Sequence, residues 1–162
     1  MQIAVISDTH MPRGPRQLPA RCVELLSGAD HIVHAGDLSE PSVLEQLETL
    51  GPPVSAVHGN VDVPELVERL PAELELELGG ARLAVIHDAG PGKGRLARMR
   101  RRFPEADAVV FGHSHIPLRE EERGFQIFNP GSPTERRRAP HHTMGLAEAE
   151  GGRLRFTLVE LD

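Results

Sequence analysis

Short apolar runs alternate with abrupt polar turns along this chain, and the period of the pattern changes near its middle. Residues 2–6 (QIAVI) are apolar and β-branched, as a buried strand requires. Residues 11–19 contain three prolines and a glycine and read as loop. Residues 20–28 predict a short helix, with Val23, Leu25 and Leu26 turned inward and Gly28 as its stop. Residues 30–35 (DHIVHA) predict a second strand. Ser39-Glu40-Pro41 resembles a helix start with Ser39 as cap, and Val43, Leu44 and Leu47 then recur at helical spacing over 42–50. Pro52-Pro53 separates this helix from a third strand over 54–57. The order β-α-β-α-β predicts a parallel sheet with right-handed crossovers.

Residues 64–70 predict another short helix. From Glu73 the period becomes two: Glu73-Leu74-Glu75-Leu76-Glu77-Leu78 alternates strictly, as a half-buried strand does. Gly79-Gly80 is a hairpin signal, and residues 81–86 are the return strand. An Arg-rich helix over 94–103, a buried strand over 107–111 and strands over 124–128, 143–150 and 153–161 complete the pattern. This second half reads as largely antiparallel. Roughly ten strands is near the limit of one open sheet. The economical architecture is therefore two sheets face to face with helices outside, in one domain over residues 1–162.

The polar turns that end the strands carry the chemistry. The first strand stops at Asp8-Thr9-His10, the second at Gly36-Asp37 and the third at His58-Gly59-Asn60. Later strands stop at His87 and at Gly112-His113-Ser114-His115. In open α/β sheets ligands bind outside the carboxyl ends of the strands. Side chains at i and i+2 of extended chain point the same way, roughly 7 Å apart, so Asp8 and His10 can reach one ion. The candidate metal ligands are Asp8, His10, Asp37, Asn60, His87, His113 and His115. Mixed oxygen and imidazole donors without thiolate suit Mn²⁺, Fe, Zn²⁺ or Ni²⁺ better than Mg²⁺ or Ca²⁺. Seven ligands exceed one tetrahedral site and suit two metals. Two divalent ions bring four positive charges and the two aspartates remove two, so the site wants an anion such as phosphate. Such a pair can hold phosphate oxygens and generate a bound hydroxide for in-line attack.

Composition narrows the alternatives. The formal net charge of −6 argues against a general nucleic-acid surface, and 3% aromatic residues with no Trp or Tyr argue against a base-stacking platform. No apolar run approaches the ~20 residues of a membrane-spanning helix. A signal peptide is not expected, because strand-like sequence begins at once. The single cysteine, Cys22, excludes an internal disulfide and makes a cytoplasmic location the expectation. It reads as a small core residue.

The ordered set D-T-H at 8–10, G-D at 36–37, G-N-V-D at 59–62, His87 and G-H-S-H at 112–115 resembles the calcineurin-like metallophosphoesterase superfamily. Within it the chain is similar to the small YfcE-type phosphodiesterases, of which N-P-G-S at 129–132 is a further mark. The resemblance implies an α/β/β/α sandwich of two mixed sheets flanked by helices. It assigns one metal to Asp8, His10 and His115 and the other to Asn60, His87 and His113, with Asp37 bridging. It implies phosphodiester hydrolysis, with monoesters also in reach, Mn²⁺ as the usual activating ion, and a homodimer or homotetramer. Asp37, Asn60 and His113 would then sit closest to the reaction. Many relatives carry His directly after the motif Asn, placed to protonate the leaving oxygen; here that position is Val61. The general acid is left open between Asp62, His58 and no protein group, and leaving-group-dependent turnover is expected. Because histidines bind metal only when neutral, activity should fall below roughly pH 6.

The other polar residues have plainer readings. Asp62 suits a turn-holding role better than catalysis. His58 suits phosphate contact or packing equally. His34 suits orientation of a ligand by hydrogen bond, and His31, His141 and His142 suit the surface. The arginines of 95–102 suit the solvated face of a helix whose apolar face is Leu96, Met99 and Phe103. Arg136-Arg137-Arg138 would lie near the site mouth or an oligomer contact. Gly131 suits a tight turn, with Asn129 and Ser132 bonding backbone near the metals. Two readings compete with a small phosphate-ester hydrolase: a binding scaffold of the same fold with a decayed site, which seven intact ligands oppose, and a nuclease, which lacks a basic or aromatic path.

Overall fold

The computed structural model describes residues Met1–Asp162. Its elements run β1 (Gln2–Ile6), α1 (Ala20–Ser27), β2 (His31–His34), α2 (Pro41–Glu48), β3 (Val54–Ala56), α3 (Pro64–Arg69), β4 (Glu73–Leu78), β5 (Ala81–Ile86), α4 (Arg95–Arg102), β6 (Ala108–Val110), β7 (Leu118–Glu122), β8 (Phe125–Asn129), β9 (Thr143–Glu150) and β10 (Arg153–Glu160). They form two five-stranded sheets, ordered β10-β9-β1-β2-β3 and β4-β5-β6-β8-β7.

Four layers follow from period-two alternation along the central strands. In β1, Ile3 and Val5 face the space between the sheets, where they meet Val33, Val57, Leu83, Val85, Val110 and Phe128. Ala4 and Ile6 face outward, under Cys22 and Leu26 of α1, Val43, Leu44 and Leu47 of α2, and Leu66 of α3. On the outer face of the second sheet, Ala84, Val109 and Ile127 are covered by Met99 of α4 and Phe103. Phe128 and Phe156 stack at 4.6 Å across the inter-sheet core. Ile3–Ile6 of β1 and the whole of β6 are buried on both faces, which is why they are continuous apolar runs.

Three expectations need correction. The second half is largely antiparallel, as expected, through β4–β5, β7–β8, β1–β9 and β9–β10, but β5–β6 and β6–β8 pair in parallel, which the pattern did not show. A crossover through α4 allows β5 and β6 to run the same way. Strand β7 (LREEE) escaped the pattern: it is a mostly exposed, acidic edge strand, defined by its register on β8 rather than by burial. Ser39 does not cap α2, whose N-cap is Glu40 without a side-chain cap bond; the backbone N–H of Ser39 donates instead to Asp62.

Candidate metal centre

The ends of β1, β2 and β3 from one sheet and of β5 and β6 from the other open toward the same place. Their side chains meet in two groups. Asp8, His10 and His115 form one and Asp37, His87 and His113 the other, each with its ligand-type atoms within 4.8 Å of one another. Asn60 joins the second group, its Oδ1 being 3.0 Å from His87 Nε2 and 3.0 Å from His113 Nδ1. Asp37 Oδ2 lies 3.1 Å from His87 Nε2 and 3.5 Å from His10 Nε2, so one carboxylate oxygen faces a histidine of each group. Asp8 Oδ1 is 3.6 Å from His115 Nε2 and 3.8 Å from His10 Nε2. All seven residues singled out in the sequence are therefore brought together, each group drawing on both sheets.

The backbone that achieves this is unusual. Asp8, His10, Asp37, His113 and His115 all have positive φ, between 46° and 71°. Side-chain-bearing residues adopt that region at a cost of order 1 kcal/mol each, and hold it only where surrounding bonds over-determine it. Those bonds are present. Asp8 and His10 donate their N–H groups to the carbonyls of Gly36 and Asp37, both at 3.0 Å. The Ser132 hydroxyl donates to the Asp8 carbonyl at 2.8 Å, and the Thr134 hydroxyl to that of Thr9 at 2.6 Å. Asn129 donates to the Gly112 carbonyl at 3.0 Å and accepts from Gly131 N–H at 2.9 Å. The Asp62 carboxylate accepts the N–H groups of Asp37 (3.1 Å), Ser39 (2.7 Å) and Gly59 (2.6 Å), which ties the ends of β2 and β3 together. Two glycines are required by close approach. A Cβ on Gly59 would fall 2.1 Å from Asp37 Oδ1, and one on Gly112 would fall 1.9 Å from Ser7 Oγ.

Imidazole orientation is fixed from behind. His87 Nδ1 is 2.8 Å from the Ala35 carbonyl, and His115 Nδ1 bonds the Glu135 carbonyl, so both rings present Nε2 to the centre. The Nε2 atoms of His10 and His115 are the only buried side-chain polar atoms in the protein without a hydrogen-bond partner. A buried lone pair left unsatisfied is costly, and two of them beside Asp8 and Asp37 fit a cation. The donor set of four imidazoles, two carboxylates and one amide fits a first-row transition ion.

The charges reinforce this. Burial opposes ionisation of Asp37, but bonds from His87 and the Val61 N–H outweigh it and hold the carboxyl below its ordinary range. Burial also opposes a charge on His87, yet Asp37 and Asp8 raise its pKa overall. Burial lowers the pKa of His115 despite Asp8. A cation at the second group would compete with protonation of His87, which the neighbouring carboxylates favour.

His34 lies behind the centre, fully buried, and bonds no ligand side chain. Its Nδ1 accepts the Gly36 N–H at 3.1 Å, so Nε2 carries the proton and donates to Thr9 Oγ1 at 3.1 Å. His58 is half-buried, with Nδ1 3.4 Å from the Gly59 carbonyl. The arginines of α4 do not simply fill a solvated face: Arg95 and Arg98 clamp carbonyls of Ala89, Gly90, Pro91 and Lys93, and Arg102 pairs with Glu73. Arg137 donates to the His113 carbonyl at 3.3 Å, while Arg136 turns away to Ala139. His31 and His142 are half-buried, bonded to Ser55 and Asp162. Sequence reasoning missed Glu135 and Asp88. Asp88 Oδ2 stands 4.0 Å from His113 Nε2, and Glu135 approaches both His10 and His115. Asp88 directly follows His87 in the turn after β5, and Glu135 lies three residues beyond N-P-G-S in the turn after β8, so position after a strand end was a signal the sequence did carry, although neither residue belongs to a motif.

The family model of the calcineurin-like phosphoesterase superfamily domain matches residues 1–152. The chain belongs to this superfamily. Over 136 residues it is 37% identical to a probable metallophosphoesterase of Methanothermobacter thermautotrophicus, covering 83% of this chain and 78% of the relative. Over 152 residues it is 28% identical to the phosphodiesterase YfcE of Escherichia coli (strain K12), covering 82% and 79%. Among solved structures, wild-type Vps29 of Entamoeba histolytica complexed with Zn²⁺ superposes with a TM-score of 0.78 at 22% identity, covering all of both chains; that likeness concerns the fold. The four-layer arrangement of two mixed sheets is thus the metallophosphoesterase fold expected from the motifs, and no helix is long and apolar enough to cross a membrane.

Proposed function

We propose that this metallophosphoesterase hydrolyses small phosphodiesters at a dinuclear centre. The observation that carries the reading is Asp37, whose one oxygen faces His10 of one ligand group and His87 of the other. Asp8, His10 and His115 would hold one ion and Asn60, His87 and His113 the other, with Asp37 shared. Two divalent ions held there would supply Lewis acidity and a lowered pKa for water. Mn²⁺ is the ion that the family resemblance favours, and the donor set admits Fe, Zn²⁺ and Ni²⁺ as alternatives.

The chain's own groups orient and hold. The Val61 N–H fixes Asp37 Oδ1 at 2.9 Å and leaves Oδ2 for the centre. Arg137 sets a cation beside His113 at the rim, where a substrate anion would meet it. Neither Val61, whose side chain stands exposed in the position after Asn60, nor Asp62, whose carboxylate is engaged by three N–H groups, suits proton donation to the leaving oxygen, which leaves His58 or no protein group. With no protein group in that role, the substrate's leaving group departs with little help, and aryl esters should turn over far faster than alkyl esters. A cytoplasmic location is supported by the single cysteine, buried and free. Self-association is supported by β4, an edge strand whose outer row could pair with a second copy.

The test is metal analysis with an assay of bis(p-nitrophenyl) phosphate and p-nitrophenyl phosphate, with and without Mn²⁺. Two ions per chain and Mn²⁺-dependent diester cleavage are expected. In His10→Ala and His115→Ala one ion should be lost, and in His87→Ala and His113→Ala the other. Absence of any bound transition metal together with inactivity in every metal would sink the enzyme reading. Equal loss of both ions in all four variants would remove the two-group assignment.

A further inference from the structure

The two ligand groups are supported from behind by different residues: separate ones, Ala35 and Asp88, behind His87 and His113, and one shared residue in the other group. His87, in the second group, leans on a backbone carbonyl, that of Ala35. In the Asp8/His10/His115 group a single residue stands behind both imidazoles. The Glu135 carbonyl accepts the bond from His115 Nδ1, and the Glu135 carboxylate lies 3.9 Å from His10 Nδ1, which has no hydrogen-bond partner of its own. That carboxylate is held in place by Arg16 and Arg13, each 3.5 Å away, and Arg16 also donates to the His10 carbonyl at 3.1 Å. Its backbone is pinned too, because the Glu135 N–H donates to Ser132 Oγ at 2.8 Å, and the same hydroxyl donates to the Asp8 carbonyl. Glu135 therefore contacts His10 and His115 directly and reaches Asp8 through Ser132, and it makes no direct bond or ion pair with Asp37, Asn60, His87 or His113.

We propose that Glu135 is a positioning residue that sets cation affinity at the Asp8/His10/His115 position alone, through the carboxylate facing His10. The proposal rests on the dinuclear reading above. A carboxylate on the far side of a ligating imidazole fixes its tautomer and makes its inner nitrogen a better donor. Nδ1 of His10 then keeps its proton toward Glu135, and Nε2 offers its lone pair inward, where it has no protein partner. Arg13 and Arg16 keep the carboxylate from swinging inward to become a ligand itself. The second position has no carboxylate behind His87, and the one nearest His113, Asp88 Oδ2 at 4.0 Å from Nε2, is separate from Glu135, so loss of the Glu135 charge should be felt at the first position and not at the second.

Glu135→Gln keeps the shape and the backbone bond to His115 and removes only the charge. Mn²⁺ is titrated calorimetrically into metal-stripped protein in two backgrounds. His87→Ala retains the Asp8/His10/His115 position, and His10→Ala retains the other. Adding Glu135→Gln should weaken Mn²⁺ binding ~10–100-fold in the first background, as removal of such partners does elsewhere, and leave it within about 2-fold in the second. Glu135→Asp should recover part of the loss. An equal fall in both backgrounds marks a general structural effect and overturns the proposal, as does no fall in either. Failure of the unsubstituted protein to bind two Mn²⁺ would overturn the dinuclear reading, and this proposal with it, before any change at Glu135 is made.

Discussion

The carboxylate of Asp62 gathers the backbone N–H groups of Asp37, Ser39 and Gly59, so it holds two ligand-bearing turns at once. Hydrogen bonds to a charged acceptor are worth about 1.5–3 kcal/mol each, and orphaned donors add a penalty. Asp62→Ala should therefore destabilise the protein by roughly 3 kcal/mol, read as a lower urea midpoint, and should reduce metal content because Asp37 and Asn60 lose their mutual placement. Asp62→Asn should fall between. A proton-donating Asp62 would behave otherwise: Asp62→Asn would keep midpoint and metal, and lose activity selectively on esters with poor leaving groups. At this scale the sequence is informative where residue type alone decides. Asp8, His10, Asp37, Asn60, His87, His113 and His115 announce themselves as ligand types directly after apolar runs. Glu135 and Asp62 do not, because what matters in them is which backbone groups and rings they reach, and those come from other parts of the chain.

The turns between elements carry the site, and α4 braces one of them. Arg98 donates to the carbonyls of Ala89, Pro91 and Lys93 in the loop that follows His87, while Arg101 on the same helix makes no such bond. Arg98→Met should cost on the order of 2 kcal/mol and loosen that loop, whereas Arg101→Ala should stay within about 0.5 kcal/mol of the parent. Thermal or urea unfolding of both variants checks this, and equal effects would return the arginines to the uniform solvated face read from the sequence. Gly112→Ala is a harsher perturbation at the junction of β6 and β1. Its Cβ would overlap Ser7 Oγ and come within 2.7 Å of Asp8 Oδ2, forcing the two sheets apart at the centre. Loss of the Asp8/His10/His115 position in metal analysis is the expected result, ahead of loss of the fold. Elements buried on both faces, such as β1 and β6, are legible because burial dictates their composition. Strand β7 is not, because an exposed acidic edge strand has only its partner's register to define it. Parallel pairing of β6 with β8 is also hidden, since it depends on where β7 inserts at the edge.

The whole molecule links its stability to pH through His34. This ring is fully buried between the sheet ends, and Nδ1 must stay unprotonated to accept the Gly36 N–H. Burial is the largest influence and lowers its pKa from 6.5 to about 4; His87 acts in the same sense, and the carboxylates of Asp62, Asp8 and Asp37 oppose it. In the unfolded chain the same imidazole regains its ordinary value. Between the two values the unfolded state binds a proton that the folded state refuses. Stability must therefore fall as pH drops below about 6.5 and level off once both states are protonated near 4, with a total of roughly 3 kcal/mol from this residue. His31 and His115, also lowered by burial, act in the same direction, and His87, raised by Asp37 and Asp8, acts against them in the metal-free protein. The contribution of His34 is isolated by difference. Urea unfolding of metal-free protein at pH 7.5 and pH 5 should show a larger acid loss in the parent than in His34→Gln, whose amide can still accept from Gly36 and donate to Thr9 without titrating. Identical losses in the two proteins would mean that His34 is protonated in the folded state, and the turn carrying Asp37 would then need another acceptor for the Gly36 N–H. Bound metal should steepen the same acid limb, because its histidine ligands must also be neutral, so the proton that weakens the fold also releases the ions.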